Sequence, residues 1–206
     1  MKKFFIKIIK RIKRMHSLRF LFPRKYALQD IYLKEKLVEI IEKYNITTIV
    51  ETGTFEGKST VEFAQLVPKV YGIELSDKFI KETSVRLKKH NVNNVTLVKA
   101  NSPEGLKQIM PELDVDKTLF FLDAHWNTYW PILDEIDSIE KNKGIILIHD
   151  FKVPNNDELG YDSYKNQPLD YDFVKTALDS WCPTHRVEYN NKAYFEVRGV
   201  AFVYSK

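Results

Sequence analysis

Short apolar runs alternate with amphipathic stretches along most of the 206-residue chain, and this alternation limits the possible folds more than any other feature. The runs are apolar throughout, whereas a strand with one wet face alternates apolar and polar side chains. Strands of this kind are covered on both faces, and the amphipathic stretches between them supply the covering helices. The sequence therefore predicts a doubly wound α/β fold with a Rossmann-like, mostly parallel sheet.

The order of the runs predicts five consecutive helix–strand units, then a sixth helix and two further strands. Few residues separate the last two strands, so we expect a C-terminal antiparallel hairpin at the sheet edge. The predicted strands are residues 48–51, 69–74, 94–99, 118–123, 144–149, 187–189 and 200–204. The predicted helices are residues 31–44, 59–66, 78–90, 103–110, 130–142 and 173–180.

The first 29 residues differ sharply in charge from the rest of the chain. They contain ten lysines and arginines and no acidic residue, although the whole chain has a net charge of only +4. The other 22 basic and 28 acidic residues give residues 30–206 a net charge of −6. We therefore divide the chain into a basic arm, residues 1–29, and an α/β domain, residues 30–206. No specific nucleic-acid partner is expected, because the domain itself is acidic.

Residues 1–22 of the arm have the pattern of a basic amphipathic helix. Charges interrupt the apolar stripe too often for a membrane span, and no signal-peptide cleavage site follows. Two partners fit the pattern, an anionic membrane surface or a protein surface such as a second subunit. With Cys182 as the single cysteine, a reducing compartment fits, so we expect a cytoplasmic protein that is peripheral on the inner membrane face if the arm binds lipid. The apolar stripe consists of Phe4, Phe5, Ile8, Ile9, Ile12 and Met15.

The loop after the first predicted strand, residues 51–57, has the composition of a cofactor-binding loop. A P-loop needs a glycine five positions before its second glycine, and Thr52 stands there. A dinucleotide loop needs a glycine at its middle position, where the side chain of Phe55 would obstruct a pyrophosphate. A cofactor without phosphates, S-adenosylmethionine, meets neither obstacle. Glu51 could then meet the cofactor's ammonium group, and Glu74 at the next strand end could accept hydrogen bonds from two ribose hydroxyls.

These segments resemble the motifs of class I S-adenosylmethionine-dependent methyltransferases over about residues 48–151. Residues 49–60 are similar to the first motif, residues 70–74 to the second, and Asn101-Ser102 to the end of the third strand. The closest subgroup is the small methyltransferases of polysaccharide and natural-product pathways, which implies O-methylation of a small polar acceptor such as a sugar, a glycan precursor or a glycolipid. The resemblance implies cofactor contacts at Glu51, Thr52, Gly53, Thr54, Phe55, Gly57, Ser59, Glu74, Leu75, Asn101, Ser102 and Asp123.

Four ionisable residues follow the fourth and fifth predicted strands: Asp123, His125, His149 and Asp150. These strand ends are neighbours in an open sheet, so we expect the four side chains to form the catalytic centre. A histidine could take up the proton of an acceptor hydroxyl. Asp123 and Asp150 could instead hold a divalent metal such as Mg²⁺, although the resembling metal-dependent enzymes have two aspartates where this chain has His149-Asp150. Each residue also has a structural alternative, as a strand-end hydrogen-bonding group or an ion-pair partner.

Residues 154–172 are polar and turn-rich, and they follow the fifth strand where a substrate-covering loop would lie. Trp126, Tyr129 and Trp130 could line an acceptor pocket or belong to the core. Three functions therefore stay open: an O-methyltransferase, a membrane-associated binding protein that keeps the fold without turnover, and a nucleotide- or dinucleotide-utilising enzyme.

Overall fold

The structure is a computed structural model that describes residues 30–125, 129–194 and 197–205. The arm and Trp126 lie outside the described residues, so the predictions made for them stay predictions. None of the helices in the described part of the chain combines the length and the hydropathy needed to cross a membrane.

The described residues form helices and strands in nearly the predicted order. The helices are α1 (Ile31–Tyr44), α2 (Lys58–Phe63), α3 (Asp77–Lys89), α4 (Ser102–Ile109), α5 (Ile132–Asp137) and α6 (Tyr171–Trp181). The strands are β1 (Thr48–Thr52), β2 (Lys69–Glu74), β3 (Val95–Lys99), β4 (Thr118–Leu122), β5 (Ile145–His149), β6 (Ser163–Tyr164), β7 (Gln167–Pro168), β8 (Arg186–Tyr189) and β9 (Val200–Tyr204).

Seven strands form one sheet in the order β3-β2-β1-β4-β5-β9-β8. The first five strands in that order run parallel to one another, while β9 is antiparallel to both β5 and β8. The strand order reverses between β1 and β4, and in such sheets ligands collect at the carboxyl ends beside this reversal. The predicted doubly wound sheet and its C-terminal antiparallel pair are confirmed.

Helices cover both faces of the sheet and build one core on each side. The core below α1 and α2 includes Leu37, Phe63 and Phe121. The opposite core, below α4, α5 and α6, includes Phe120 and Trp181. Phe120 and Phe121 are neighbours in β4 and are both fully buried, which shows that the middle of the sheet is covered on both faces, as its apolar runs predict.

Three details correct the predicted elements. The strand β3 is not covered on both faces, because it stands at the sheet edge and only Val98 is buried. The predicted helix 130–142 shrinks to α5, since Pro131 restricts Trp130 to non-helical backbone and the helix ends before Ser138. Within residues 154–172 a short hairpin, β6 with β7, forms that the sequence did not predict. The other boundaries agree with the prediction within three residues.

A buried ion pair fastens α1 to α2. The ammonium group of Lys34 donates a hydrogen bond to Glu62, and the two side chains are only 4% and 11% exposed. Lys36, two residues further along α1, pairs at the surface with Glu39 and Glu188. Because α2 follows the loop of residues 53–57 directly, the Lys34–Glu62 pair also fixes the position of that loop.

Replacing Lys34 by alanine should therefore lower the free energy of unfolding by about 3–5 kcal/mol, because Glu62 stays buried without its counter-charge. Replacing Lys36 by alanine, the surface control, should cost about 0–1 kcal/mol. Denaturant unfolding measures both values. The double variant Lys34→Met/Glu62→Met should recover most of the loss, and a double variant as unstable as Lys34→Ala would contradict the ion-pair explanation.

Candidate functional site

A cavity of about 800 Å³ opens at the carboxyl edge of the sheet, beside the reversal between β1 and β4. Its size lies within the range of about 300–1,000 Å³ that is usual for small-molecule sites. Glu74, Leu75 and Ser102 line one end, and His149 and Arg198 line the other. The cavity therefore joins the predicted cofactor residues to the predicted catalytic centre.

The loop after β1 forms the middle of the cavity wall, and Gly53 determines its course. The φ angle of Gly53 is +75°, and a Cβ atom there would lie 2.9 Å from both Ala124 Cα and the carbonyl oxygen of Asp123. Only glycine lets the loop cross the chain after β4 this closely. Gly57, at φ +73°, ends the loop, and a Cβ atom there would overlap Thr83 on α3.

Phe55 stands at the cavity mouth in a backbone conformation that is unusual for a bulky residue. Its φ angle is +47° and its side chain is 54% exposed. Its N–H donates a hydrogen bond of 2.9 Å to Glu74 Oε2, its carbonyl accepts one of 2.9 Å from Thr83, and its ring lies 4.3 Å from the ring of Phe79. Three contacts thus hold a strained residue in place, a situation typical of binding sites.

Glu74, the last residue of β2, faces the cavity with a carboxylate that has spare acceptor capacity. Its two oxygens accept one hydrogen bond each, from the N–H groups of Phe55 at 2.9 Å and Ser76 at 2.8 Å. A carboxylate offers about four acceptor positions, so about two remain for hydroxyl groups of a ligand. Nearby on the cavity wall, Thr54 Oγ1 is buried with no hydrogen-bond partner among the described residues. Free acceptors and an unpartnered hydroxyl fit the ribose and amino-acid groups of S-adenosylmethionine.

Glu51 occupies a different place from the one predicted. It lies one residue inside β1, is 1% exposed, and accepts hydrogen bonds from the hydroxyl groups of Ser59 and Thr60 on α2. Burial, together with the nearby charges of Asp123 and Glu74, raises the pKa of Glu51 to about 8 despite these hydrogen bonds. Its carboxyl group supports the loop from beneath and is not among the groups that line the cavity, so a contact with the cofactor's ammonium group, direct or through water, stays a prediction.

The remaining predicted cofactor residues separate into two groups. Thr52 is fully buried in β1, Gly57 is packed against α3, and Asn101 caps α4 by accepting a hydrogen bond from the N–H of Glu104. These three shape the site without lining the cavity. The predicted residues that do line it are Gly53, Thr54, Phe55, Ser59, Glu74, Leu75, Ser102 and Asp123.

The four predicted catalytic residues lie together at the other end of the cavity. His149 Nδ1 lies 3.1 Å from Asp123 Oδ1 and 3.3 Å from Asp150 Oδ1. His125 Nε2 lies 3.3 Å from Asp123 Oδ1 and 3.5 Å from Asp150 Oδ2. The structure thus brings both histidines onto the same two carboxylates.

Asp162 and Arg198 complete this cluster, and the sequence did not single them out. Asp162 Oδ2 lies 3.0 Å from His125 Nδ1, and the guanidinium of Arg198 pairs with both Asp150 and Asp162. Asp162 belongs to the predicted substrate-covering loop, so its position after β5 was a usable signal. No comparable signal pointed to Arg198, because it precedes the last strand in a segment without a motif.

The charges of the cluster nearly cancel when both histidines are protonated. Burial alone would lower the pKa of His149, but Asp123 and Asp150 outweigh it and raise that pKa well above its usual value. The pKa of His125 is raised by Asp123 and Asp162 against the same opposing effect. Three carboxylates and Arg198 leave two negative charges, which two imidazolium groups neutralise. One divalent cation with neutral imidazoles would neutralise them equally.

A metal could use the ligand atoms of Asp123, His149 and Asp150, which lie within 4.8 Å of one another. This donor set contains an imidazole nitrogen, which suits Mn²⁺ or Zn²⁺ better than Mg²⁺, an ion that prefers oxygen ligands. Binding would have to displace protons from the histidines and compete with Arg198 for Asp150.

Of the aromatic residues predicted for the acceptor pocket, Tyr129 and Trp130 do not line the cavity, while Trp126 lies outside the described residues. Trp130 stacks on Phe173 at 5.0 Å and contacts Tyr164 at 6.1 Å, so it joins α6 to the β6–β7 hairpin. Tyr171 shares a hydrogen bond of 3.1 Å with His185. These rings stabilise the loop of residues 154–172.

Comparison with known proteins places these features in context. No protein-family model matches the chain. A segment of 67 residues is 36% identical to a probable cobalt-precorrin-6B C(15)-methyltransferase (decarboxylating) of Methanothermobacter thermautotrophicus. The match covers 32% of this chain and 34% of that protein, so the chain matches about a third of this curated relative's length.

Solved structures resemble the fold over most of the chain. An O-methyltransferase from Bacillus cereus, in complex with S-adenosylhomocysteine, has a TM-score of 0.62 at 17% identity, covering 94% of this chain and 88% of that one. A precorrin-6y C5,15-methyltransferase from Geobacter metallireducens has a TM-score of 0.53 at 18% identity, covering 82% and 85%. A SAM-dependent methyltransferase from Aquifex aeolicus has a TM-score of 0.53 at 17% identity, covering 80% and 86%. The chain has the fold of the class I S-adenosylmethionine-dependent methyltransferases.

The raised pKa of Glu51 predicts a specific pH dependence of stability. A carboxyl group whose pKa rises from 4.5 to about 8 on folding binds more protons in the folded state between these values. Its contribution to stability is therefore complete below 4.5 and is lost as the pH rises through 8.

The variant Glu51→Gln should lack this dependence, because an amide does not titrate. The difference in unfolding free energy between wild type and variant should fall steadily across that window, as measured by denaturant unfolding at several pH values. Glu39→Gln, which changes an exposed glutamate of α1, is the control. A constant difference between wild type and Glu51→Gln would show that Glu51 is ionised throughout.

Proposed function

We propose that this protein is an S-adenosylmethionine-dependent methyltransferase that methylates a hydroxyl group of a small polar acceptor, such as a sugar or glycan precursor. One observation carries the proposal: the carboxylate of Glu74 and the cluster around His149 line the same cavity, at opposite ends. An acid at the end of β2 is suited to ribose, and the cluster offers proton-transfer groups where an acceptor would meet the cofactor.

Several residues of this chain would hold the cofactor. Glu74 would accept hydrogen bonds from the ribose hydroxyls, and Leu75 and Phe55 would cover the base and ribose with apolar surface. Ser59, whose hydroxyl donates to Glu51 and can still accept a hydrogen bond, would serve the amino-acid end. When bound, the cofactor supplies an electrophilic methyl group.

The acceptor end of the cavity is polar, which supports a hydroxyl-rich acceptor. His125, Asp150 and Arg198 present donors and acceptors there, and the ring of Trp130 is occupied in packing on Phe173. The Bacillus cereus neighbour, an O-methyltransferase, is consistent with the same reaction class. Exclusion of water and correct orientation of the acceptor are the main contributions that such a site makes to methyl transfer.

The proton of the acceptor hydroxyl has to leave as the new carbon–oxygen bond forms. We assign this role to His149, which lines the cavity and must first release to the water there the proton that Asp123 and Asp150 hold on it. A divalent cation on Asp123, His149 and Asp150 would displace that proton and could lower the pKa of the acceptor hydroxyl. Calorimetric titration with Mn²⁺ of wild type and Asp123→Asn separates the metal-free and metal-dependent versions.

Calorimetry with S-adenosylmethionine, S-adenosylhomocysteine, ATP and NAD tests the cofactor assignment directly. We expect the first two to bind and the phosphate-containing compounds not to bind. Binding of ATP or NAD in place of the first two would contradict the proposal and favour a nucleotide-utilising enzyme.

Replacing Glu74 by alanine should weaken binding of S-adenosylhomocysteine by about ten- to a hundredfold, because hydrogen bonds to a charged acceptor are lost. Glu74→Gln keeps one carbonyl oxygen and should lose less. Glu112→Ala is the matched control, since Glu112 accepts a hydrogen bond from Tyr71 and does not line the cavity. Equal affinities for wild type and Glu74→Ala in calorimetry would remove the assigned role.

Replacing His149 by alanine or asparagine should lower turnover by about a hundredfold or more, because the proton acceptor is lost. Affinity for S-adenosylhomocysteine should stay close to that of wild type. Formation of S-adenosylhomocysteine with a panel of sugar and glycan acceptors measures turnover. His90→Ala, at the exposed end of α3, is the control.

Unchanged turnover in the His149 variants would remove the role of His149. Cofactor binding without turnover on any acceptor of the panel would favour the binding-protein alternative.

A further inference from the structure

Exposed apolar side chains are concentrated at the carboxyl edge of the sheet, around the cavity mouth. Seven large hydrophobic side chains are exposed among the described residues. Single exposed hydrophobic residues are normal on a protein surface, but their collection on one edge indicates a contact surface. Six of the seven lie in loops that leave this edge, namely Phe55, Leu75, Tyr129, Tyr161, Tyr194 and Val197; the seventh, Val85, lies on α3. We call these six residues the rim.

Lysine side chains accompany aromatic rings at the same edge. Lys152 Nζ lies 5.3 Å from the centre of the Tyr161 ring, and Lys192 Nζ lies 4.2 Å from that of Tyr32. Lys165 is placed similarly over Tyr164, at 5.0 Å. Such pairs suit a surface that meets a membrane interface. They also occur at the opposite edge, where Lys69 lies over Tyr71, so the rim and the arm's junction, not these pairs, distinguish the carboxyl edge.

The arm joins the domain at this edge. Only residues 45–47 connect α1 to β1, so α1 runs antiparallel to β1 and begins at the carboxyl edge of the sheet. The contact of Lys192 with Tyr32 ties the first turn of α1 to the loop before β9. The junction between the arm and the domain therefore lies beside the reaction end of the cavity.

The charge distribution favours one kind of partner. Residues 1–29 carry ten positive charges and no negative one, while residues 30–206 carry a net charge of −6. An anionic surface attracts the arm and repels the acidic domain, so it orients the molecule with the arm's junction toward the surface. A second copy meeting the same edge would bring two arms with ten positive charges each together.

We propose that the carboxyl edge of the sheet faces an anionic membrane surface, with residues 1–22 as the anchor and the rim as a second contact. The cavity then opens toward the lipid head groups. If the proposed methyl transfer holds, the acceptor is a hydroxyl on a polar head group that a membrane lipid carries, such as a lipid-linked sugar. The orientation itself does not depend on that reaction.

Two variants of the full chain, each with one added cysteine that carries a label, test this orientation. Tyr161→Cys places an environment-sensitive dye on the rim, and Asp116→Cys places it at the opposite edge, just before β4. The native Cys182 is fully buried, so little dye should react with it. Wild type treated with the same dye measures this background reaction. Each labelled protein is mixed with vesicles of phosphatidylcholine alone or of phosphatidylcholine and phosphatidylglycerol in equal amounts.

We expect the mixed vesicles to bind the protein and to shift the emission of the Tyr161→Cys label to shorter wavelength, while the Asp116→Cys label stays unchanged. Adding Ile8→Glu and Ile9→Glu should weaken vesicle binding by about tenfold or more, because charges enter the apolar stripe of the arm. Thermal unfolding of this variant checks that the domain is intact.

Three results would overturn the proposal. The protein does not bind the mixed vesicles, it binds them with the Asp116→Cys label shifted as much as the Tyr161→Cys label, or it forms an arm-dependent dimer that leaves both labels unchanged. None of these measurements involves S-adenosylmethionine, so their failure is distinct from a failure of the methyltransferase assignment.

Discussion

The crossing of two chain segments at Gly53 underlies the rest of the site. The loop after β1 passes so close to Asp123 and Ala124 that a single methyl group would lie 2.9 Å from backbone atoms. This contact joins the two strands between which the sheet order reverses, and it sets the distance between the loop and the residues after β4. Residues from both segments, Gly53 with Asp123 and Ala124, line the cavity between its cofactor end and its reaction end.

Glu51 and Glu74 show how two residues of strand register separate two similar carboxyl groups, since Glu51 pairs with Gly72 in the sheet. Glu74 ends β2 and faces the cavity, where backbone N–H groups orient it and leave acceptor positions free. Glu51 lies one residue before the end of β1, on the same face as Ile49, and α2 covers it. Burial then raises the pKa of Glu51, and the hydroxyls of Ser59 and Thr60 donate hydrogen bonds to its carboxyl group.

The same comparison shows what the sequence could and could not predict. Apolar runs determine which segments become buried strands, so the sheet and most helices followed from them. Strand ends are less certain, because backbone pairing depends on the neighbouring strand, and the predicted end of β1 at Glu51 misplaced that side chain. The cluster of Asp123, His125, His149 and Asp150 followed from the adjacency of strand ends. Arg198 did not, since its place depends on the antiparallel pairing of β9 with β5.

The cluster at the reaction end combines stability with chemistry through its charge balance. Asp150 sits at φ +57° and receives both Arg198 and His149, so the ion pairs that fix the loop of residues 154–172 also fix the histidines. Any step that removes a proton from His149 leaves one negative charge of the partly buried carboxylates without a compensating positive charge. The resulting negative charge favours an incoming cation, or an acceptor whose own proton replaces the lost one. Electrostatics therefore couples proton release to acceptor binding at this site, whether an incoming cation or the proton of the acceptor supplies the compensating charge.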